Sequence, residues 1–344
     1  MKQLAVVDAA PSAIAALERA LASGGASELD GTVPAAVWRN ALAGPAAEFL
    51  SRPGKGLRTS IVRAGWQLGG GAADALPDRL PLVIEILHAG SLIVDDIEDN
   101  SEERRGAPAL HKMFGVPLAI NTGSWMYFWA LAELGELGLS PTAELDAHRA
   151  AAMTLVRCHQ GQALDLATRV WHLSPETVGA VVSATTRLKT GALCMLAAEL
   201  GAIAAGASPA IVGAVRRFAG AMGTGLQMLD DLGSLTSVAR RAKAREDLEG
   251  GRPTWPWAWL AEVQPFAWTR CSALARTIAT GTEDQEARLD ELSAMLLDGV
   301  GSIARHRVRF TLDSALAELV STVGASAVTE EIATELSRME ASYG

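Results

Sequence analysis

The stretch Leu87 to His111, LHAGSLIVDDIEDNSEERRGAPALH, decides how the rest of the chain is read. Its apolar residues Leu87, Leu92, Ile93, Val94 and Ile97 run among acids with no Pro before Pro108, which predicts a helix ending near Glu103. On such a helix His88, Ser91, Asp95 and Asp99 recur at steps of three and four and share one stripe, with Asp96 one position round. Three carboxylates so placed repel one another unless something neutralises them, and a hard divalent cation with oxygen ligands does this best. Mg²⁺ keeps several waters and takes one or two carboxylates plus phosphate oxygens, so the DDIED cluster reads as a metal and diphosphate site. Arg104 and Arg105 follow closely and offer fixed cations to the same anion. A solvated helix end is the ordinary meaning of a short acidic run. Here a buried stripe continues straight into the acids, and a solvated face gives no reason for that.

With 344 residues, 49% of them apolar, the chain can bury a large core. Ala and Leu dominate, β-branched runs are short and helix-period patterning recurs, so the expected fold class is all-α. A formal net charge of −9 argues against nucleic acid as a partner, and leaves an anionic substrate to be captured by local cations and metal. Cys158, Cys194 and Cys271 form no CxxC pair, which suits a reducing cytoplasm. The N-terminus, MKQLAVVDAAPSAIAALERA, lacks a signal-type apolar core. Met113 to Ala132 carries no charge, but Pro117, Asn121, Thr122, Gly123 and Ser124 interrupt it, so a buried helix is expected there and not a transmembrane one.

Around that centre the other segments fall in order. Residues 1–22 read as an amphipathic helix followed by a loose SGGASELDG patch, and a second helix is expected from Pro34 to Leu50. SRPGKGLR then brings Lys55 and Arg58 to the start of a new helix, where unbonded N–H groups and the helix dipole favour an anion; a basic helix cap is the plainer meaning. A helical segment from His111 to about Leu139 follows, dense in large side chains. Ser140 with Pro141, Ser174 with Pro175, and Ser208 with Pro209 mark further helix starts. CHQGQALDL places His159, Gln162 and Asp165 on one face, although a core histidine is the commoner meaning of such a His. Lys189 and Thr190 lie in the apolar run RLKTGALCML, where a Lys is too costly to bury without an anion. Asp230 and Asp231, with Gln227 one turn earlier, form a second acid pair, and two acid-bearing helix faces could clamp one metal-diphosphate cluster. ARRAKAREDLEGGRPTWP reads as a flexible charged loop. No repeat or linker is evident, so one domain is expected over residues 1–344, with 1–30 as an N-terminal helix and loose linker.

From PGKGLR at Pro53 to GRPT at Thr254, the motifs and their order resemble those of the trans-isoprenyl diphosphate synthases, the polyprenyl synthetase family. Within it the chain is most similar to the geranylgeranyl diphosphate branch, through DDIEDNS followed by RRG. The resemblance implies a helical bundle around a central cavity, usually as a homodimer. It implies that Lys55, Arg58, His88 and Arg105 bind the diphosphate of isopentenyl diphosphate, while Asp95, Asp96 and Asp99 hold Mg²⁺ bridging an allylic prenyl diphosphate. Arg104 would contact that second diphosphate, Lys189, Thr190 and Gln227 would flank it, and Asp230 and Asp231 would hold a further Mg²⁺, with three ions present once diphosphate is bound. Two departures stand out: Ser234 replaces an Asp or Asn in DDLGS, and Arg252 replaces a loop Lys, whose companion could be Arg241 or Lys243.

Product length is expected to depend on the stripe before Asp95, where Gly90 and Ser91 are small. In the family, bulky residues there stop growth at fifteen carbons. The next obstruction would come from Trp125, Tyr127, Phe128 or His159, and since a helix turn rises about 5 Å, a floor one turn deeper suggests a C20 product. Those aromatics could equally be plain core. Two rivals remain. A class I terpene cyclase shares the metal motifs but has no use for Lys55, Arg58 and His88; a non-catalytic regulatory subunit would have degraded acid motifs, and only Ser234 hints at that.

Overall fold

The computed structural model describes residues 10–20, 33–54, 56–236, 241–281 and 284–342. Its helices are α1 (Ala10–Ala20), α2 (Ala35–Trp38), α3 (Gly44–Leu50), α4 (Leu57–Leu68), α5 (Arg79–Glu98), α6 (Leu110–Phe114), α7 (Val116–Gly135) and α8 (Pro141–Ala167). They continue as α9 (Pro175–Thr186), α10 (Ala192–Ala204), α11 (Pro209–Thr236), α12 (Arg241–Glu249), α13 (Trp255–Val263), α14 (Pro265–Ala279), α15 (Gln285–Val323) and α16 (Ala327–Ala341). π-helical turns at Arg39–Ala43 and Arg187–Gly191 join α2 to α3 and α9 to α10. Among the described residues the only strands are β1 (Glu103–Arg104) and β2 (Ala107–Pro108), paired antiparallel with Glu103 opposite Pro108. The expected all-α class is therefore the class observed, and no described helix is long and apolar enough to cross a membrane.

Helix starts are the most legible features. Pro141, Pro175 and Pro209 each open a helix, and Ser174 with Thr177 forms a reciprocal cap on α9. Three expectations need correction. The organising helix α5 stops at Glu98, short of Glu103, because Asn100 adopts φ 51°. The Ser101 amide then donates to the Asp96 carbonyl at 2.9 Å and the Asn100 amide to Ile97 at 3.2 Å, a closed C-terminal motif that consumes the last carbonyls. The segment from His111 breaks into α6 and α7 at Gly115, whose φ of 81° no helix continues through. The charged loop after Thr236 contains α12, since RAKAREDLE is made of strong helix formers. At the N-terminus, α1 covers part of the expected helix, and residues 1–9 and 21–32 lie outside the described ones.

The chain divides into two compact units. The first comprises residues 1–152 and 196–212, the second residues 153–195 and 213–344. In the first, α5 packs along α7, burying Leu82, Ile86, Ile93 and Asp96 from one helix and Met126, Trp129 and Leu134 from the other. They approach closely at Gly90, where a Cβ would lie 2.8 Å from the Gly123 carbonyl oxygen. α4 meets α10 the same way: a Cβ on Gly201 would fall 2.2 Å from the Val62 oxygen, and one on Gly65 2.2 Å from the Ala198 oxygen. In the second unit, α13 packs on α9 and α15 with Trp257 and Trp259 buried.

Backbone atoms cannot give way as a side-chain end can, so Gly201→Ala should destabilise the first unit by about 2–3 kcal/mol or more, the overpacking range. Thermal unfolding followed by circular dichroism checks this, and a melting temperature equal to that of the unaltered protein would refute the α4 and α10 approach.

Candidate active site

In the first unit the site gathers at the C-terminal end of α5. Asp96 is wholly buried. The Arg104 Nε donates to its Oδ1 at 2.6 Å and the same guanidinium also pairs with it through Nη2, while Oδ2 has no hydrogen-bond partner. Burial pushes the Asp96 carboxyl pKa up, against the Arg104 bond and charge that pull it down; Asp95 adds to the rise and His111 opposes it. Asp95 lies at the edge of the same pair, 3.5 Å from Arg104 Nη2. Asp99 caps the helix and acts on Arg104 through its charge. For Arg104 itself, burial lowers the pKa, but the Asp96 bond and the charges of Asp96, Asp95 and Asp99 outweigh it.

Arg104 and Arg105 are adjacent yet serve different surroundings, because a hairpin turn separates them. Arg104 lies in β1, whereas Arg105 and Gly106 form the two-residue turn with φ of 54° and 78°. That conformation costs an L-residue on the order of 1 kcal/mol. It carries the Arg105 guanidinium over the Phe49 ring at 5.7 Å, close to where a Gly54 Cβ would stand. Burial lowers the Arg105 pKa; Glu85 opposes the fall, and Arg58, Arg104 and Arg52 reinforce it. Arg58 stands in the first turn of α4 with its Nε buried and without a hydrogen-bond partner. His88, on the α5 stripe, has its pKa lowered well below 6.5 by burial first, then by Arg58, Arg105 and Arg104. Four guanidinium groups thus act on one region that also holds a neutral imidazole. Lys55, the remaining expected cation, lies outside the described residues.

In the second unit the polar groups form a continuous chain. Thr190 Oγ1 donates to Gln227 Oε1 at 2.8 Å, and Gln227 Nε2 donates to Asp231 Oδ1 at 2.7 Å. The backbone amide of Trp255 donates to Asp231 Oδ2 at 2.9 Å, and the Trp255 indole to Thr186 Oγ1 at 3.0 Å. The anion that Lys189 needs is Asp165, 2.7 Å away, with Arg252 also 3.7 Å from that carboxylate. Lys189 and Thr190 sit in a π-helical turn, a feature that re-aims side chains and recurs at functional sites. Ser234 is buried and its hydroxyl donates to the Asp230 carbonyl at 2.8 Å, so it is turned onto its own helix. Asp231, Ser234, Asp247, Arg252, Thr254 and Trp257 line a small cleft of about 10 Å³.

The candidate chain-length residues scatter. Gly90 is buried at the α7 crossing, so its small size serves the helix approach and not a tail channel. Ser91 is half-buried, its hydroxyl donating to the His88 carbonyl at 2.8 Å. Tyr127 faces Gly90, and Trp125 stacks on Trp129 with centroids 5.0 Å apart. Phe128 is 70% exposed and His159 is exposed, so neither is placed to end a buried cavity. Sequence reasoning missed Arg52, Glu85, Thr186 and Asp247. Glu85 carries a signal, three residues before His88 on the same stripe; Arg52 carries none.

Among the described residues no three His, Cys, Asp or Glu side chains converge as a metal cage. Mg²⁺ needs no such cage, since phosphate oxygens and water complete its shell. The all-oxygen donors of Asp95, Asp96 and Asp99, with Asp96 Oδ2 unbonded, fit it.

An all-α protein of the isoprenoid-synthase type, with acids and arginines gathered at one helix end, is the class these features define. Residues 39–292 match the polyprenyl synthetase family. The chain is 31% identical over 274 residues to a geranylgeranyl pyrophosphate synthase of Apiospora sacchari, across 77% of this chain and 75% of that protein. It is 32% identical over 236 residues to geranylgeranyl pyrophosphate synthase 2 of Zymoseptoria tritici, across 66% of each, so just under two thirds of that relative is spanned. The crystal structure of a heptaprenyl diphosphate synthase from Staphylococcus aureus has the same fold, with a TM-score of 0.78 at 18% identity over 99% of both chains. The chain belongs to the polyprenyl synthetase family.

His88 gives a pH test. Its pKa is lower folded than unfolded, so its contribution to stability is complete above about pH 6.5 and falls as the pH drops below that, by up to about 1.4 kcal/mol per unit. Urea unfolding at pH 7.5 and 5.5 should show His88→Gln losing less stability than the unaltered protein; equal losses would show that the fold does not lower the His88 pKa.

Proposed function

We propose that this protein is a chain-elongating prenyltransferase that condenses isopentenyl diphosphate with an allylic prenyl diphosphate to a C20 product. The carrying observation is the gathering of cations around His88: a buried Arg58 nitrogen without a hydrogen-bond partner, an Arg105 whose pKa burial lowers with Arg58, Arg104 and Arg52 adding to the fall, and a histidine whose pKa is lowered by burial and by Arg58, Arg105 and Arg104. Such a cluster is stabilised by an anion, and a diphosphate supplies the charge and the acceptors. A terpene cyclase has no second diphosphate to place there. The family region runs through residues of both units, which supports reading the chain as one polyprenyl synthetase-like domain.

In the reaction, the allylic C–O bond breaks and its electron pair leaves with the diphosphate. The isopentenyl double bond attacks the resulting allylic cation, forming the new C–C bond, and the adduct loses a proton to give a new allylic diphosphate. Arg58, His88, Arg105 and Lys55 hold the isopentenyl diphosphate; Arg104 stabilises charge on the departing diphosphate. Lys189, Thr190 and Gln227 take the flanking roles that the family resemblance assigns. Held by Asp95, Asp96 and Asp99, and by Asp230 and Asp231, Mg²⁺ would neutralise diphosphate charge. The reaction requires that water, which would quench the cation, be kept from it. Val116, Ile120 and Phe128, exposed at helical spacing on α7, support the homodimer common in the family.

Purified protein incubated with Mg²⁺, labelled isopentenyl diphosphate and each allylic primer in turn should give labelled prenyl diphosphates ending at C20. No condensation with any primer would overturn the reading. Asp95→Ala and Asp96→Ala should each lower kcat at least about a hundredfold, the size expected when stabilisation of developing charge is lost. Near-normal turnover in either would remove that carboxylate from the site. Ser91→Phe should shorten the product, read by chromatography of the dephosphorylated alcohols; an unchanged length would end the role of the α5 stripe as a tail wall.

A further inference from the structure

We infer that Arg52 is a positioning residue that sets both anion-binding arginines, Arg104 and Arg105, by gripping the hairpin that carries them; the inference rests on the prenyltransferase reading above. Arg52 is 5% exposed, and each nitrogen of its guanidinium is bonded. Nε and Nη2 take the Glu48 carboxylate, with Nη2 2.8 Å from Oε2. Nη1 donates to the Arg104 carbonyl at 2.9 Å, and Nη2 also donates to the Pro108 carbonyl at 2.8 Å. One carbonyl belongs to each strand, so a single side chain ties β1 and β2 together from the α3 side.

The hairpin needs such a tie. Its strands are two residues long, too short to hold their own geometry, and its turn keeps Arg105 at φ 54°, which a non-glycine adopts only where surrounding contacts over-determine it. The shared ring of Phe49 adds a second constraint: the Arg52 guanidinium lies 5.1 Å from its centroid and that of Arg105 5.7 Å. With the grip intact, Arg104 is delivered to Asp95 and Asp96 while Arg105 is delivered to the region of Arg58 and His88. Losing the grip releases both at once, so one residue remote from the reacting carbons governs the binding of two substrates. A lysine has one nitrogen and cannot span two carbonyls and a carboxylate in this planar arrangement.

The test uses Arg52→Lys and, as the variant gentler on folding, Glu48→Gln, which keeps the guanidinium but removes the charge that orients it. In Arg52→Lys both Michaelis constants, for isopentenyl diphosphate and for the allylic primer, should rise about tenfold, as when a residue supporting a ligand-binding group is removed, with kcat less affected; Glu48→Gln should shift both in the same direction by less. Calorimetric titration with inorganic pyrophosphate and Mg²⁺ should show the matching loss of affinity without any turnover. A lower melting temperature with both Michaelis constants and pyrophosphate affinity unchanged in the two variants overturns the inference, since that is what a merely structural arginine would give. An unaltered protein that binds pyrophosphate but condenses no primer defeats the prenyltransferase reading instead, and the pyrophosphate titration of the variants then still decides the role of Arg52.

Discussion

Asp96 is buried with only one of its oxygens bonded, and Arg104 is the group that bonds it. Removing two charges from water costs several kcal/mol per ion, and their attraction repays this only with good geometry. The first unit therefore has little freedom at this point: the last turn of α5 and the hairpin must meet where Arg104 reaches Asp96. Everything proposed for the diphosphate follows from how that contact is achieved. The same hairpin that brings Arg104 in brings Arg105 to the far side of its turn, and the same helix end that buries Asp96 leaves Asp95 and Asp99 less covered beside it.

The second unit reaches rigidity by another route. Its Thr190, Gln227, Asp231 and Trp255 are joined by hydrogen bonds from one member to the next, and Lys189 already has Asp165. A satisfied network polarises itself and fixes its side chains, whereas an undersatisfied cluster is poised for an outside ligand. The two units thus present different chemistry toward an anion. Around His88 the cations repel one another, and an anion there would relieve that repulsion. Around Asp231 the carboxylate is already oriented, both oxygens accepting N–H donors, so a ligand there meets geometry set during folding.

The Pro-marked helix starts, the α5 stripe and the two acid pairs are legible in the amino-acid sequence, because they depend on spacing and on local backbone chemistry, which a chain displays in its order of residues. Features that are long-range or depend on φ are not. Glu48 four residues before Arg52 offers an ordinary helical ion pair, but nothing in SRPGKG announces the two hairpin carbonyls, more than fifty residues away, that Arg52 also holds. The hairpin is hidden because acids and arginines after Asn100 continue a helical composition; positive φ at Asn100, Arg105 and Gly106 breaks it, and Asn and Gly are common residues in that role while Arg is not. For Lys189 the need for an anion is evident from its apolar neighbours, and Asp165 shares a helix face with Gln162 and His159, yet the pair itself is made only by the fold.

Gly90 and Ser91 show how adjacent small residues can be small for unrelated reasons. A side chain at Gly90 would enter the Gly123 carbonyl and the Met126 Cβ, at 2.8 and 3.0 Å, so glycine there is required by the α5 and α7 crossing whatever the substrate. Ser91 is under no such demand: it is half-buried, and its hydroxyl is satisfied by its own helix. Substrate length can therefore act on residue choice at Ser91 but scarcely at Gly90. The same reasoning divides the aromatic cluster of α7, where Tyr127 lies against the Gly90 crossing while Phe128, one residue on, is turned to the exterior. Of the small residues on α5, Ser91 is then the one that can be enlarged without first separating α5 from α7.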